Sequence, residues 1–146
     1  MGYTRFPNGL SIGSVRVDSQ DLTSTTALTA EESGKTCFLA TAGGFVTTLP
    51  APATGLKFKF VIKVAPTGDY TIVTSGSANI MIGFFAVHAD GAGPTVATAG
   101  DTITFVAAGS AAKVGDWCEV ESDGTSWYIS GMSQIATGMT VTQAST

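Results

Sequence analysis

The stretch Leu56-Lys57-Phe58-Lys59-Phe60-Val61-Ile62-Lys63-Val64 carries the clearest structural signal in the chain. Side chains of an extended strand alternate between its two faces, so Phe58, Phe60, Ile62 and Val64 share one side and Lys57, Lys59, Val61 and Lys63 the other. One face suits a core and the other suits water. Short runs of the same β type recur on both sides of this stretch, separated by Gly, Pro, Asp or Asn at intervals of roughly 8–15 residues, which is an all-β pattern. They predict strands over 25–29, 36–41, 45–49, 56–64, 70–74, 79–87, 102–107, 116–122 and 126–130. The Thr/Ser-rich tail after Gly131 reads as a final strand over 140–142 or as a strap across a partner. No amphipathic helix stands out, although Thr29-Ala30-Glu31-Glu32 reads like a capping box at a turn. Residues 1–22 lack sustained periodicity and read as an extended arm, with 23–146 as a single domain.

Two further segments refine this picture. In Asn79-Ile80-Met81-Ile82-Gly83-Phe84-Phe85-Ala86-Val87, Ile80, Ile82 and Phe84 lie on one side and Met81, Phe85 and Val87 on the other, so both faces are apolar. Within a small antiparallel sheet this predicts burial on two sides, by a second layer and by a neighbouring subunit. Ile80, Met81, Ile82, Phe84 and Phe85 are therefore the expected subunit interface. The segment from Asp116 to Gly131 reads as a hairpin turning at Ser122-Asp123-Gly124, because Asp-Gly between alternating runs is a strong tight-turn signal. It sets Trp117, Glu119 and Glu121 opposite Cys118 and Val120. Alongside the lysine-bearing strand, Glu119 and Glu121 would pair with Lys57, Lys59 or Lys63 across strands.

Composition bounds the partners. The chain has 146 residues, 12% of them charged and 44% hydrophobic, with a net charge of −4, and a mean hydropathy of +0.30. A charged fraction about half the usual ~25% leaves a surface of Thr, Ser, Gly and Ala. Such a surface points to one that is covered in an assembly. Seven Lys and Arg in all are too few and too scattered for phosphate recognition, so nucleic acid is not an expected partner. No apolar run reaches the ~18 residues of a membrane span, and the start MGYTRFPNGL has no apolar core of a signal peptide. Together these predict a chain made in the cytoplasm and no membrane partner. There Cys37 and Cys118, distant in sequence, are expected as buried hydrophobes rather than a bridge.

Several fragments imitate catalytic motifs. Gly34-Lys35-Thr36 matches the end of a phosphate-binding loop, but Thr29 stands where its first glycine belongs, and a strand follows instead of a helix. Gly91-Ala92-Gly93 lacks the third glycine of a dinucleotide loop. His88 is the only histidine, without a nucleophile elbow to serve, and reads as a polar strand end. Cys37, Cys118 and His88 lack metal-type spacing. Glu31 and Glu32, and Glu119 and Glu121, read as solvated charges before they read as a glycosidase pair. No catalytic residue, cofactor or metal is expected.

Three stretches carry a resemblance. Thr4-Arg5-Phe6-Pro7-Asn8-Gly9-Leu10, the block from Thr29 through Pro52 into Gly55-Leu56-Lys57-Phe58-Lys59-Phe60, and the hairpin from Gly115 to Tyr128 resemble small structural proteins of tailed bacteriophages, especially capsid decoration (cement) proteins. The resemblance spans most of the chain, and the middle block and hairpin also recur in phage fibre modules. It implies an antiparallel β-sandwich or jelly-roll-like domain that trimerises on the capsid exterior without enzymatic activity. The major capsid protein and further copies of the chain would be its partners. Arg5, Phe6, Pro7, Asn8 and Leu10 would anchor the arm, with Arg16 pairing to an acidic capsid surface. The alternative is a head-fibre or tail-associated receptor module, in which Trp117, Trp127 or Tyr128 would stack on sugars.

Overall fold

In the computed structural model, which describes residues 18–88 and 95–144, the alternation around Phe58 is fulfilled. Phe58, Phe60 and Ile62 are buried while Lys57 and Lys63 are exposed. Among the described residues there are twelve strands: β1 (Ser19–Leu22), β2 (Thr26–Ala27), β3 (Thr36–Leu39), β4 (Phe45–Thr48), β5 (Lys57–Ile62), β6 (Tyr70–Val73), β7 (Met81–Val87), β8 (Thr95–Gly100), β9 (Thr102–Phe105), β10 (Trp117–Ser122), β11 (Trp127–Ser133) and β12 (Met139–Thr142). The only helical pieces among them are 3₁₀ turns at Ala30–Glu32, Ser75–Ser77 and Ala108–Ser110. At the first of these, the Glu32 carboxylate accepts the Thr29 N–H at 2.8 Å, as the capping-box reading requires.

The strands form a seven-stranded sheet in the order β1-β3-β5-β10-β11-β7-β8 and a five-stranded sheet in the order β12-β9-β6-β4-β2. Between them lies one core, with Phe58, Phe60, Ile62, Met81, Phe85 and Trp127 from the larger sheet facing Tyr70, Ile72, Ile103 and Phe105 from the smaller. Phe58 and Trp127 pack with ring centroids 6.1 Å apart, and Phe45 meets Tyr70 edge-on at 5.1 Å. The fold is a β-sandwich.

The expectation of antiparallel sheets is corrected. Both sheets are mixed, with β1–β3, β3–β5, β7–β11, β2–β4 and β4–β6 parallel. The reason is in the connections. From β1 to β6 each strand lies in the opposite sheet from the one before, so a strand of one sheet serves as the crossover between parallel neighbours in the other. Alternating hydrophobicity states which face a residue occupies but not which way its neighbour runs.

The arm and domain boundary also shift. Ser19–Leu22 pairs in parallel with β3 and buries Leu22 in the core, so this part of the expected arm belongs to the sandwich. Arg5, Phe6, Pro7, Asn8, Leu10 and Arg16 lie outside the described residues.

Candidate interaction surface

The outward face of the seven-stranded sheet is organised in cross-strand rows. One row runs Lys57, Glu121, Tyr128, Ile82; the next runs Ser19, Thr36, Lys59, Glu119, Ser130, Phe84, Val96; the third runs Asp21, Phe38, Val61, Trp117, Met132, Ala86. The first two rows change character along their length, whereas the third is apolar from Phe38 onward. On β1, β3, β5 and β10 the face carries paired charges, and on β11, β7 and β8 it is largely apolar.

The charged half is closed on itself. Lys57 Nζ lies 2.9 Å from Glu119 Oε1 and 3.8 Å from Glu121 Oε2, and the Glu119 carboxylate raises the lysine above its ordinary pKa. Lys59, opposite Glu119 in the ladder, places its ammonium 4.8 Å from the Trp117 ring centre in a cation–π contact. Lys63 pairs with Asp21 at 2.5 Å and Lys35 with Asp18 at 3.8 Å. The expected Lys–Glu pairing therefore holds for Lys57, while Lys63 turns to β1, a strand not expected from the sequence. These exposed pairs fix register more than stability, each contributing about 0.2–1 kcal/mol.

None of the described residues covers the apolar half. Phe84 is 56% exposed, Val96 64%, Tyr128 49%, Met132 47% and Ile82 38%. These side chains lie on neighbouring strands and form one exposed apolar cluster of the kind that marks an interaction surface. The other exposed large hydrophobics, Val46, Val114 and Ile135, lie apart, on β4 and in two loops. Phe84 and Val96 face each other across β7 and β8, so the patch continues to the outer edge of the sheet.

The expected interface residues divide between the two sides of β7. Met81 and Phe85 are fully buried and point into the chain's own core, so they are not available to another subunit. Ile80 is partly buried against that core. Ile82 and Phe84 remain on the surface, joined by Val96, Tyr128 and Met132, which the sequence reading did not assign to an interface. The prediction of two apolar faces holds; one of them is covered by the second sheet and the other by none of the described residues. The aromatic candidates separate likewise. Trp127 is buried, Trp117 lies beneath Lys59, and Tyr128 is exposed.

At the hairpin tip, Asp123 Oδ1 accepts the N–H groups of Thr125 and Ser126, both at 2.8 Å, and the Thr125 hydroxyl at 2.9 Å. These bonds hold the carboxyl far below the usual carboxylate range. Its other oxygen accepts the Tyr128 hydroxyl at 3.1 Å, which pushes the phenol pKa up. Beside them Thr54, Gly55, Glu121, Ser122, Asp123 and Tyr128 line an open hollow of about 440 Å³.

The remaining chemical candidates stay apart. Cys37 and Cys118 are free, buried thiols, and burial raises both pKa values. Each pairs in the ladder with Phe60, so one strand separates them by about twice the 4.8 Å spacing, too far for a bridge without moving the sheet. Gly34-Lys35-Thr36 leads into β3, not a helix. His88 is exposed just past β7, its N–H donating to Ser133 O at 2.9 Å. Among the described residues no group of three or more His, Cys, Asp or Glu is placed to hold a metal ion. No helix among them is long and apolar enough to cross a membrane. Compared with known proteins, the chain matches no family model, no curated protein and no solved structure.

Proposed function

We propose that this chain is a structural virion protein that binds the outer surface of an assembled phage capsid as a homotrimer and stabilises the shell by bridging capsomers. The observation that carries the reading is the uncovered apolar half of the large sheet around Phe84 and Val96. A small domain with little surface charge and a contiguous apolar face is built to be covered, and self-association is the use suggested by the doubly apolar strand. The resemblance of the arm, middle block and hairpin supplies the partner: residues 1–17, with Arg5, Phe6, Pro7, Asn8, Leu10 and Arg16, would reach the capsid. A ligand that binds the assembled lattice more tightly than free subunits stabilises the lattice by mass action.

The test uses purified protein and expanded capsids stripped of any decoration. The intact chain is expected to co-sediment with the shells and raise their disruption temperature. Deleting residues 1–17, which leaves β1 in place, should abolish co-sedimentation while leaving a trimer in light scattering. Phe84→Ser should do the reverse to the trimer and leave a folded monomer. Normal decoration by the truncated chain would refute the role of the arm, and a monodisperse monomer of the intact chain at micromolar concentration would refute the trimer.

A further inference from the structure

We infer that the hollow at the tip of the β10–β11 hairpin is a binding site for a neutral pyranose saccharide, with the Tyr128 ring as its floor. The ring is tethered at both ends. Its Cβ is fixed on β11, and its hydroxyl is fixed to Asp123 in the turn five residues earlier. Held at both ends, the ring is fixed beside the hollow it lines and is half exposed. An exposed aromatic ring held in place before binding is what the C–H face of a pyranose stacks upon, with little ordering cost.

The polar groups around the ring suit sugar hydroxyls. Glu121 lies opposite Tyr128 in the ladder, and its carboxylate is mostly exposed and only loosely held by Lys57 at 3.8 Å. It can accept hydroxyl protons with both oxygens. The Thr54 hydroxyl donates to Asp123 O at 3.0 Å and so presents its lone pairs as an acceptor to the hollow. Two carboxylates, Glu121 and Asp123, border the site and would repel an acidic sugar, which selects a neutral one. At about 440 Å³ the hollow has room for more than one ring. Its mouth is at the hairpin end of the sheet, whereas the Phe84–Val96 pair that centres the apolar patch lies one row further along. The trimer contact proposed above centres on Phe84 and Val96 and ends short of Tyr128, which lies at the hairpin margin of the apolar half and stays open to saccharide.

Amide chemical shifts of the ¹⁵N-labelled full chain, titrated with maltotetraose, cellotetraose and chitotetraose, test the site. At least one of the three is expected to shift Gly55, Ser122, Asp123, Gly124 and Tyr128 with a dissociation constant near 1 mM, as befits a single stacking platform. Tyr128→Ala should weaken that binding roughly tenfold or more, and Tyr128→Phe, which keeps the ring but cuts its tether to Asp123, by roughly threefold. Dispersed spectra of both variants establish that they fold. Shifts that map elsewhere, shifts that persist in Tyr128→Ala, or no shift from any of the three at about 20 mM would overturn the inference.

Discussion

Adjacent phenylalanines on one strand face opposite ways, and the difference is measurable. Phe85 is fully buried, so Phe85→Ala should cost about 3–5 kcal/mol in urea unfolding through lost transfer energy and the cavity left behind. Phe84 is more than half exposed, and Phe84→Ser should change monomer stability by less than about 0.5 kcal/mol while removing self-association in light scattering. Equal destabilisation by the two would mean that β7 does not sit in the register described. At this scale the sequence was readable as two sets, Ile82 with Phe84 and Met81 with Phe85, but not as to which set met the core. That choice depends on which face of the sheet the second layer covers, and the chain reaches it only through contacts distant in sequence. Val96 and Met132 were not readable as interface residues, because Thr95–Gly100 is rich in small residues and the expected last hairpin strand stopped at Ser130, short of Met132.

The β10–β11 hairpin carries a pH dependence of its own. Hydrogen bonds from Ser126 and Thr125 depress the Asp123 pKa in the folded state, and the Thr29 N–H does the same for Glu32 at the 3₁₀ turn. The unfolded chain then binds protons more readily than the folded one. The stability these two groups contribute is complete above the ordinary carboxylate range, near pH 4, and is lost as the pH falls through their depressed values. Urea midpoints should therefore decline on acidification below about pH 4, and Asp123→Asn, which keeps an acceptor but cannot titrate, should flatten that decline. An unchanged slope in the variant would remove Asp123 from the account. This element was the most legible in the chain: turn and facing follow from Asp-Gly and strict alternation, whereas the choice of Lys57 as the lysine that pairs with Glu119 and Glu121 came only with the β5–β10 register. The pairing of Lys63 with Asp21 was not, since Ser19–Leu22 is a short edge strand with a single buried side chain, Leu22, and gives almost no periodic signal.

Across the whole molecule, the twelve strands fall into two sets that meet along one seam. Strands β1–β6 occupy one flank of both sheets and β7–β12 the other, and the ladders that join them are β5–β10 in the larger sheet and β6–β9 in the smaller. All-β class and strand spacing were legible from local patterning, but this division was not, because it rests on parallel pairings whose partners are one winding apart. The Phe58–Trp127 contact crosses the seam, so each flank alone would leave large aromatic surface in water. Chain continuity between the flanks passes through the exposed turn at Ser75–Ser77. The protein should thus be separable into two polypeptides, 1–74 and 75–146, each unfolded by itself, that recognise one another when co-expressed and purify as a 1:1 complex with a native-like amide spectrum. Independent folding of either fragment would show the seam to be a domain boundary. Complementation would instead make the sandwich an obligate heterodimer joined by a dispensable peptide link, whose two partners can be supplied from separate messages.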